Sequence, residues 1–270
     1  PGIISTSVAP PRVYRVALAP PSVRRCHHPV LRREVVAGSP AAAVVVVVAA
    51  AGSKQRKSDN LNQNIYSRRP GGESAIPNVI FIILIINGLI FALQQMQQFD
   101  QALLFNFALW PLGSSFPSFM PWQLLTYGFM HGGLAHIGFN MFMLWMFGRE
   151  LELVYGARRF LTYYLTCVVG AGIVQLVVAA LQGGIYPTVG ASGGVFGLLL
   201  LFGMTFPNRM IMLIFPPIPM KAKYMVILFG VLELYLGLSG RSPGIANFAH
   251  LGGMLFGFIL IQRWKGNRQL

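Results

Sequence analysis

The chain has 270 residues, of which 54% are hydrophobic and only 10% are charged. A soluble domain carries about 25% charged residues, so this composition excludes an ordinary soluble domain and indicates an integral membrane protein. The net charge of +14 does not indicate a nucleic-acid partner. Beyond residue 78 the basic residues stand in short stretches between apolar segments, which is a signal of membrane topology.

Residues 1–76 differ from the rest of the chain, being rich in Pro, Ala, Val, Arg and Ser without helical periodicity. Their apolar run, residues 41–51, is too short to cross about 30 Å of hydrocarbon. We assign this region no fold and interpret it as a disordered tail or as sequence upstream of the working protein. Because it is rich in Arg and poor in acids, an organellar transit segment is the alternative.

Six apolar segments follow Pro77, and each is near the length that a tilted transmembrane helix needs. They cover residues 78–96, 134–149, 159–181, 190–206, 223–239 and 246–262. Prolines fall between them, as is typical of helix boundaries. Backbone groups in lipid must be paired internally, so the sequence predicts an all-α, six-span membrane domain over residues 77–264. Residues 265–270 form a short cytoplasmic tail.

The distribution of Lys and Arg predicts the orientation of the six spans. Eleven of these residues lie on the side of the N-terminus, whereas the opposite side holds only Arg241. Basic residues favour the cytoplasmic side, so both termini are predicted to face it. The eleven are Arg68, Arg69, Arg149, Arg158, Arg159, Arg209, Lys221, Lys223, Arg263, Lys265 and Arg268.

The connection between spans one and two, residues 98–133, lies on the outer side in this topology. It carries several Phe and Trp side chains and one charged residue, Asp100. Because this loop is so apolar, we expect it to lie in the membrane interface instead of projecting into water.

Four polar residues share one depth in this topology. His136 and Asn140 lie in the first turns of span two, Ser192 begins span four, and His250 lies in the first turns of span six. All three spans run inward from the outer side, so at 1.5 Å per residue these side chains reach a common level roughly 7 Å below the outer boundary. Ionisable residues inside a membrane indicate a functional site.

Small residues flank Ser192 and His250 and would let spans four and six approach closely. They include Gly190, Gly193, Gly253 and Gly257. A histidine within hydrogen-bond reach can activate a serine nucleophile. His136 and Asn140, with the Ser192 N–H, could donate to the developing oxyanion. The alternative for each motif alone is helix packing.

An acidic third member is not expected near this pair. Glu150 and Glu152 lie at the inner end of span two, Asp100 lies in the outer loop, and Glu233 lies within span five without a visible partner. We therefore predict a Ser–His dyad, with a structural hydrogen bond or a proton relay as the role of Glu233. No His-Glu-x-x-His pattern occurs, so no metal site is predicted.

These motifs resemble those of the rhomboid family of intramembrane serine proteases. The resemblance covers roughly residues 77–264 and is carried by His131-Gly-Gly-Leu-Ala-His136-Ile-Gly-Phe-Asn140, Gly190-Ala-Ser-Gly193 and Ala249-His250-Leu-Gly-Gly253 with Gly257. It implies a six-helix bundle with a half-submerged loop between spans one and two.

The resemblance also implies residue roles. Ser192 would be the nucleophile and His250 the general base. His136 and Asn140 would line the oxyanion hole, and His131 would be a supporting histidine. The family cleaves transmembrane helices of other membrane proteins near their outer ends and needs no cofactor. The alternative is a non-catalytic relative that binds and escorts membrane proteins.

One position departs from the family pattern. Many members carry Trp-Arg in the outer loop, where this chain has Trp122-Gln123, so the hydrogen bonding of the loop cannot be carried over from them. The six-span form without an extra span is typical of bacterial members. We therefore expect a bacterial plasma membrane, with an organellar inner membrane as the alternative.

Overall fold

The computed structural model describes residues 46–47, 78–184, 186–213, 217–240 and 246–266, all within one compact unit over residues 35–270. The N-terminal extension predicted over 1–76 lies outside the described residues except for Val46–Val47, and so do residues 267–270 of the predicted tail.

A helix covers each of the six predicted segments. These helices are α1 (Asn78–Gln94), α4 (Leu134–Tyr155), α5 (Ala157–Gln182), α6 (Ser192–Thr205), α7 (Ala222–Ser239) and α8 (Asn247–Gly266). By length and composition α5 and α7 could each cross a membrane, and α1 and α6 are shorter apolar helices. The described part of the chain is therefore mainly helical, as the lengths of its apolar segments predict.

The centre of the fold is the packing of α5, α6 and α8 against one another. Phe202 of α6 is fully buried against Phe147 of α4, with ring centroids 4.9 Å apart. Helix α7 packs mainly against α6, α8 and the adjacent hairpin, and much of its apolar surface is exposed. The six helices thus form a bundle with α7 at its periphery.

The segment between α1 and α4 contains two helices that the sequence analysis does not predict. Helix α2 covers Gln97–Phe107 and contains no buried residue, and the single turn α3 covers Gln123–Thr126, followed by a 3-10 turn at Tyr127–Phe129. Backbone hydrogen bonds between Leu109 and Thr188 tie this segment to the stretch before α6. The segment between α1 and α4 is thereby anchored close to the start of α6.

A small antiparallel sheet joins α6 to α7 and departs from the all-α expectation. Strand β2 (Met210–Leu213) pairs with β3 (Pro219–Lys221), and β1 (Val46–Val47) pairs with the other edge of β2. A connection rich in proline cannot continue the helix. Its backbone N–H and C=O groups still need partners, and pairing as a hairpin supplies them.

Candidate functional site

Ser192 and His250 meet where α6 and α8 cross. The Nε2 atom of His250 lies 2.8 Å from the Oγ atom of Ser192. His250 is buried, and Ser192 is half-buried at the start of α6. The distance is that of a hydrogen bond, so the two side chains predicted to act together are in direct contact.

Glycines make this approach possible. A Cβ atom on Gly253 would collide with the carbonyl oxygen of Gly193, and one on Gly193 would collide with Ala171 of α5. A Cβ atom on Gly257 would collide with the Tyr163 hydroxyl. Helices α6 and α8 can therefore approach each other at Gly253, and both can pack closely against α5, only because these positions lack side chains.

Two features of Gly190, its backbone conformation and its close neighbours, require a glycine. Its φ of +133° lies in a region that other residues rarely adopt, and its N–H donates to the Tyr127 carbonyl at 3.0 Å. A Cβ atom on Gly190 would lie 2.8 Å from the His136 ring and 3.6 Å from Ser192 Oγ. Gly190 thus leaves open the space between His136 and the serine hydroxyl.

The ring of His136, which faces the space left by Gly190, accepts a hydrogen bond at one of its two nitrogens. The Gly132 N–H donates to its Nδ1 atom at 3.3 Å. A neutral imidazole that accepts at Nδ1 carries its proton on Nε2, so the nitrogen next to Gly190 is a donor. His136 is therefore arranged to donate toward the region of Ser192.

Asn140 is buried one helical turn further along α4. One amide N–H of Asn140 donates to the His136 carbonyl at 2.9 Å. A side-chain amide has two N–H donors, so one remains. His136 and Asn140 share a face of α4, as their spacing predicts.

His131 is nearly fully buried just before α4. Its ring meets that of His136 edge to face, with centroids 5.1 Å apart. Among the described residues neither ring nitrogen of His131 has a hydrogen-bond partner. Burial, reinforced by the charge that His136 would carry if protonated, lowers the pKa of His131 to about 3. A neutral ring behind His136 supports its position without adding charge.

The backbone of His131 is fixed by a residue that the sequence analysis does not single out. Its N–H donates to Gln94 Oε1 at 3.0 Å, and its carbonyl accepts from Gln94 Nε2 at 3.2 Å. Gln94 is the last residue of α1 and is buried. The available signal in the sequence was an amide side chain at the end of an apolar span.

Phe196 was also missed. Its ring stacks on that of His250, with centroids 4.3 Å apart and an interplanar angle of 4°. Phe196 follows Ser192 by one turn of α6, so the i, i+4 spacing was the available signal. The stack fixes the plane of the His250 ring.

The expectation that no carboxylate lies near the pair is wrong. The Oε2 atom of Glu233, on α7, lies 3.0 Å from Nδ1 of His250 and accepts a hydrogen bond from Asn247 Nδ2 at 2.6 Å. Helix α7 runs opposite to α4, α6 and α8. A residue late in α7 therefore lies level with residues early in the other three.

The comparisons with known proteins agree with the motifs. The family described as "Rhomboid domain" matches residues 118–263. This chain is 34% identical to "Rhomboid protease GluP" of Bacillus subtilis over 138 residues, which are 51% of the chain. Over 139 residues, also 51% of the chain, it is 31% identical to "Rhomboid protein 1, mitochondrial" of Saccharomyces cerevisiae.

A plant protein is similar over the same part of the chain. Identity to "RHOMBOID-like protein 4" of Arabidopsis thaliana is 37% over 140 residues, or 52% of the chain. The matched stretch covers only 25% of the bacterial relative, 40% of the yeast relative and 33% of the plant relative.

Proposed function

The chain belongs to the rhomboid family, and we propose that it is an intramembrane serine endopeptidase that cleaves transmembrane segments of other membrane proteins. The observation that carries the proposal is the 2.8 Å contact between Ser192 Oγ and His250 Nε2. A relative from Bacillus subtilis is named a protease, which supports the same reaction class.

The proposed reaction is acyl transfer in two steps. His250 Nε2 takes the hydroxyl proton as Ser192 Oγ attacks the carbonyl carbon of the scissile peptide bond. The tetrahedral intermediate collapses, the C–N bond breaks, and His250 gives its proton to the leaving amine. Water then attacks the acyl-enzyme ester and loses a proton to His250. Collapse of the second intermediate releases the new carboxyl terminus and returns the proton to Ser192.

Three groups are proposed to stabilise the oxyanion. The first group is the backbone N–H of Ser192. Ser192 is the first residue of α6, and backbone N–H groups in the first turn of a helix have no partner within that helix. The Nε2–H of His136 and the remaining amide N–H of Asn140 approach from α4. Donors fixed before the reaction stabilise charge that develops in the transition state. Side chains and water supply every step, so the mechanism assigns no role to a cofactor.

The lengths of the helices support an active site below the outer membrane surface. Helix α6 has 14 residues, so it is about 21 Å long, and the residues before Ser192 must complete a span of about 30 Å of hydrocarbon. If Thr205 lies near the inner boundary, Ser192 lies several ångströms below the outer one. Substrate bonds at that depth belong to the outer ends of transmembrane helices.

We propose that α1 and α4 to α8 are six membrane spans with both termini on the basic side. The segment between α1 and α4 would lie half-submerged in the outer interface. Its exposed apolar side chains support this placement, among them Leu112, Phe116 and Trp122. A bacterial plasma membrane is proposed, and relatives named for mitochondria keep an organellar inner membrane as the alternative.

The test is cleavage of a single-span model substrate in proteoliposomes. We expect cleavage by the unaltered chain, and none by Ser192→Ala or His250→Ala. A fluorophosphonate probe should label the unaltered protein and not Ser192→Ala. Cleavage that survives in Ser192→Ala would exclude the serine mechanism. Absence of both cleavage and labelling in the folded protein would instead favour the non-catalytic escort.

A further inference from the structure

Glu233 brings a buried carboxylate to the side of His250 that faces away from Ser192. Its Oε2 atom lies 3.0 Å from His250 Nδ1, whereas the opposite nitrogen of the ring, Nε2, contacts Ser192 Oγ at 2.8 Å. The Glu233 side chain is about 10% exposed and that of His250 about 11%. The three side chains therefore form a continuous line from α7 through α8 to α6.

Asn247 holds the Glu233 carboxylate in this position. Its Nδ2 atom donates to the same oxygen, Oε2, at 2.6 Å. Asn247 and His250 are three residues apart on α8 and so lie on one face of the helix. Because Asn247 Nδ2 can only donate, Oε2 acts as an acceptor between two nitrogen atoms.

An acceptor at Nδ1 decides which nitrogen of His250 carries the proton. A neutral imidazole has one N–H and one lone pair, and the negative charge of a carboxylate 3.0 Å from Nδ1 favours the proton on that nitrogen. With the proton on Nδ1, the lone pair of Nε2 faces the Ser192 hydroxyl. That tautomer accepts the serine proton, and the opposite tautomer cannot.

We propose that Glu233 is a positioning residue for His250. It holds the proton on Nδ1 and stabilises the imidazolium that forms when Ser192 loses its proton. This inference rests on the proposed protease function. The 3.0 Å contact lacks the alignment of a hydrogen bond and is an ion-pair distance, so the effect on the ring is chiefly electrostatic. Phe196 fixes the plane of the His250 ring, and Glu233 determines which ring nitrogen carries the proton.

The kinetic test compares two variants that separate charge from shape. Glu233→Gln keeps an oxygen acceptor and removes the charge, whereas Glu233→Met removes both at similar length. We expect kcat to fall about tenfold in Glu233→Gln and about a hundredfold in Glu233→Met, because a residue that acts through the general base should account for no more than the roughly 10²–10⁴-fold that the base itself contributes. KM should stay within about twofold, because the substrate does not contact Glu233.

Glu150→Gln is the matched control, because Glu150 is a carboxylate on α4 that pairs with Arg209, away from the Ser192–His250 pair. We expect its kcat to equal that of the unaltered protein. If both Glu233 variants are folded and keep kcat within about twofold of the unaltered protein, the positioning role is excluded and a packing role remains.

A spectroscopic measurement keeps the inference testable if a Glu233 variant fails to fold. In the unaltered protein with isotope-labelled histidine, nitrogen chemical shifts report the tautomer of each ring, and His250→Ala assigns the signal. A proton on Nδ1 supports the proposal, and a proton on Nε2 overturns it. The result does not require activity. Failure of cleavage by the unaltered chain would count against the protease function, whereas a wrong tautomer would count against Glu233.

Discussion

At the scale of single residues, Gln123 shows how this chain stabilises the segment between α1 and α4 without the arginine that many family members carry. Gln123 is fully buried, and its Oε1 atom accepts from the N–H groups of Trp110 and Met120, each at 3.2 Å. Its Nε2 atom lies 3.4–3.5 Å from three backbone carbonyl oxygens. An arginine has donors only and could not accept from the two N–H groups.

Replacing this side chain should destabilise the segment between α1 and α4. Gln123→Leu leaves the buried N–H of Trp110 without an acceptor, which costs about 1–3 kcal/mol. The N–H of Met120 also loses its acceptor but is only part-buried, so its loss adds less. We expect the free energy of unfolding, measured by denaturant titration in detergent, to fall by at least that amount. Gln98→Leu, at an exposed position of α2, is the control and should change it by no more than about 0.5 kcal/mol. Equal effects would show that the hydrogen bonds of Gln123 contribute nothing.

At the scale of helices, the contact between α6 and α8 is set by backbone against backbone. Gly253→Ala would press a methyl group onto the carbonyl oxygen of Gly193. Overpacking of this kind typically costs about 1–3 kcal/mol. The two helices must separate to relieve it, which moves His250 away from Ser192. We expect Gly253→Ala to lower both thermal stability and the rate of labelling by a fluorophosphonate.

Gly88→Ala provides the control for that substitution. Gly88 lies on α1, and nothing lies within 4 Å of the position of an added Cβ. Alanine favours the helix over glycine by roughly 0.5–1 kcal/mol. Stability should stay the same or rise, and the labelling rate should not change. A fall in labelling for both variants would mean that the contact between α6 and α8 does not set the rate.

A second contact between helices caps the start of α1. The Glu152 carboxylate, at the end of α4, accepts from the N–H groups of Val79 and Ile80 at 3.0 and 2.8 Å. Negative charge at a helix N-terminus is stabilising, and hydrogen bonds to charged groups contribute about 1.5–3 kcal/mol. Glu152→Gln keeps one oxygen and loses the charge.

We therefore expect Glu152→Gln to lower the free energy of unfolding by about 1–2 kcal/mol. Glu150→Gln, two residues earlier and more exposed, should lower it by less than about 1 kcal/mol. Hydrogen exchange localises the effect, since the amides of Val79 and Ile80 should lose protection in the first variant alone. Unchanged protection there would exclude the cap.

At the scale of the whole molecule, apolar segment length was sufficient to predict the six main helices, and the family resemblance is confirmed. Segment length could not predict α2, whose residues are of mixed polarity, or the strands, which have two to four residues and are too short to show a period. Glu233 was misplaced for a different reason. It lies six residues before the end of α7 at Ser239, about 9 Å from that end. Depth has to be counted from the outer end of each helix, whichever way the chain runs.

The proposed topology makes a last prediction for the complete molecule. Ser115, between α2 and α3, and Asn208, between α6 and β2, are both exposed, and six spans with the termini on the basic side put them on opposite faces of the membrane. In a cysteine-free background, a membrane-impermeant maleimide should label Ser115→Cys from outside intact cells. Asn208→Cys should be labelled only after permeabilisation, because α6 separates its loop from the outer side. Labelling of both positions from one side would contradict the arrangement, and with it the depth at which Ser192 meets a substrate helix.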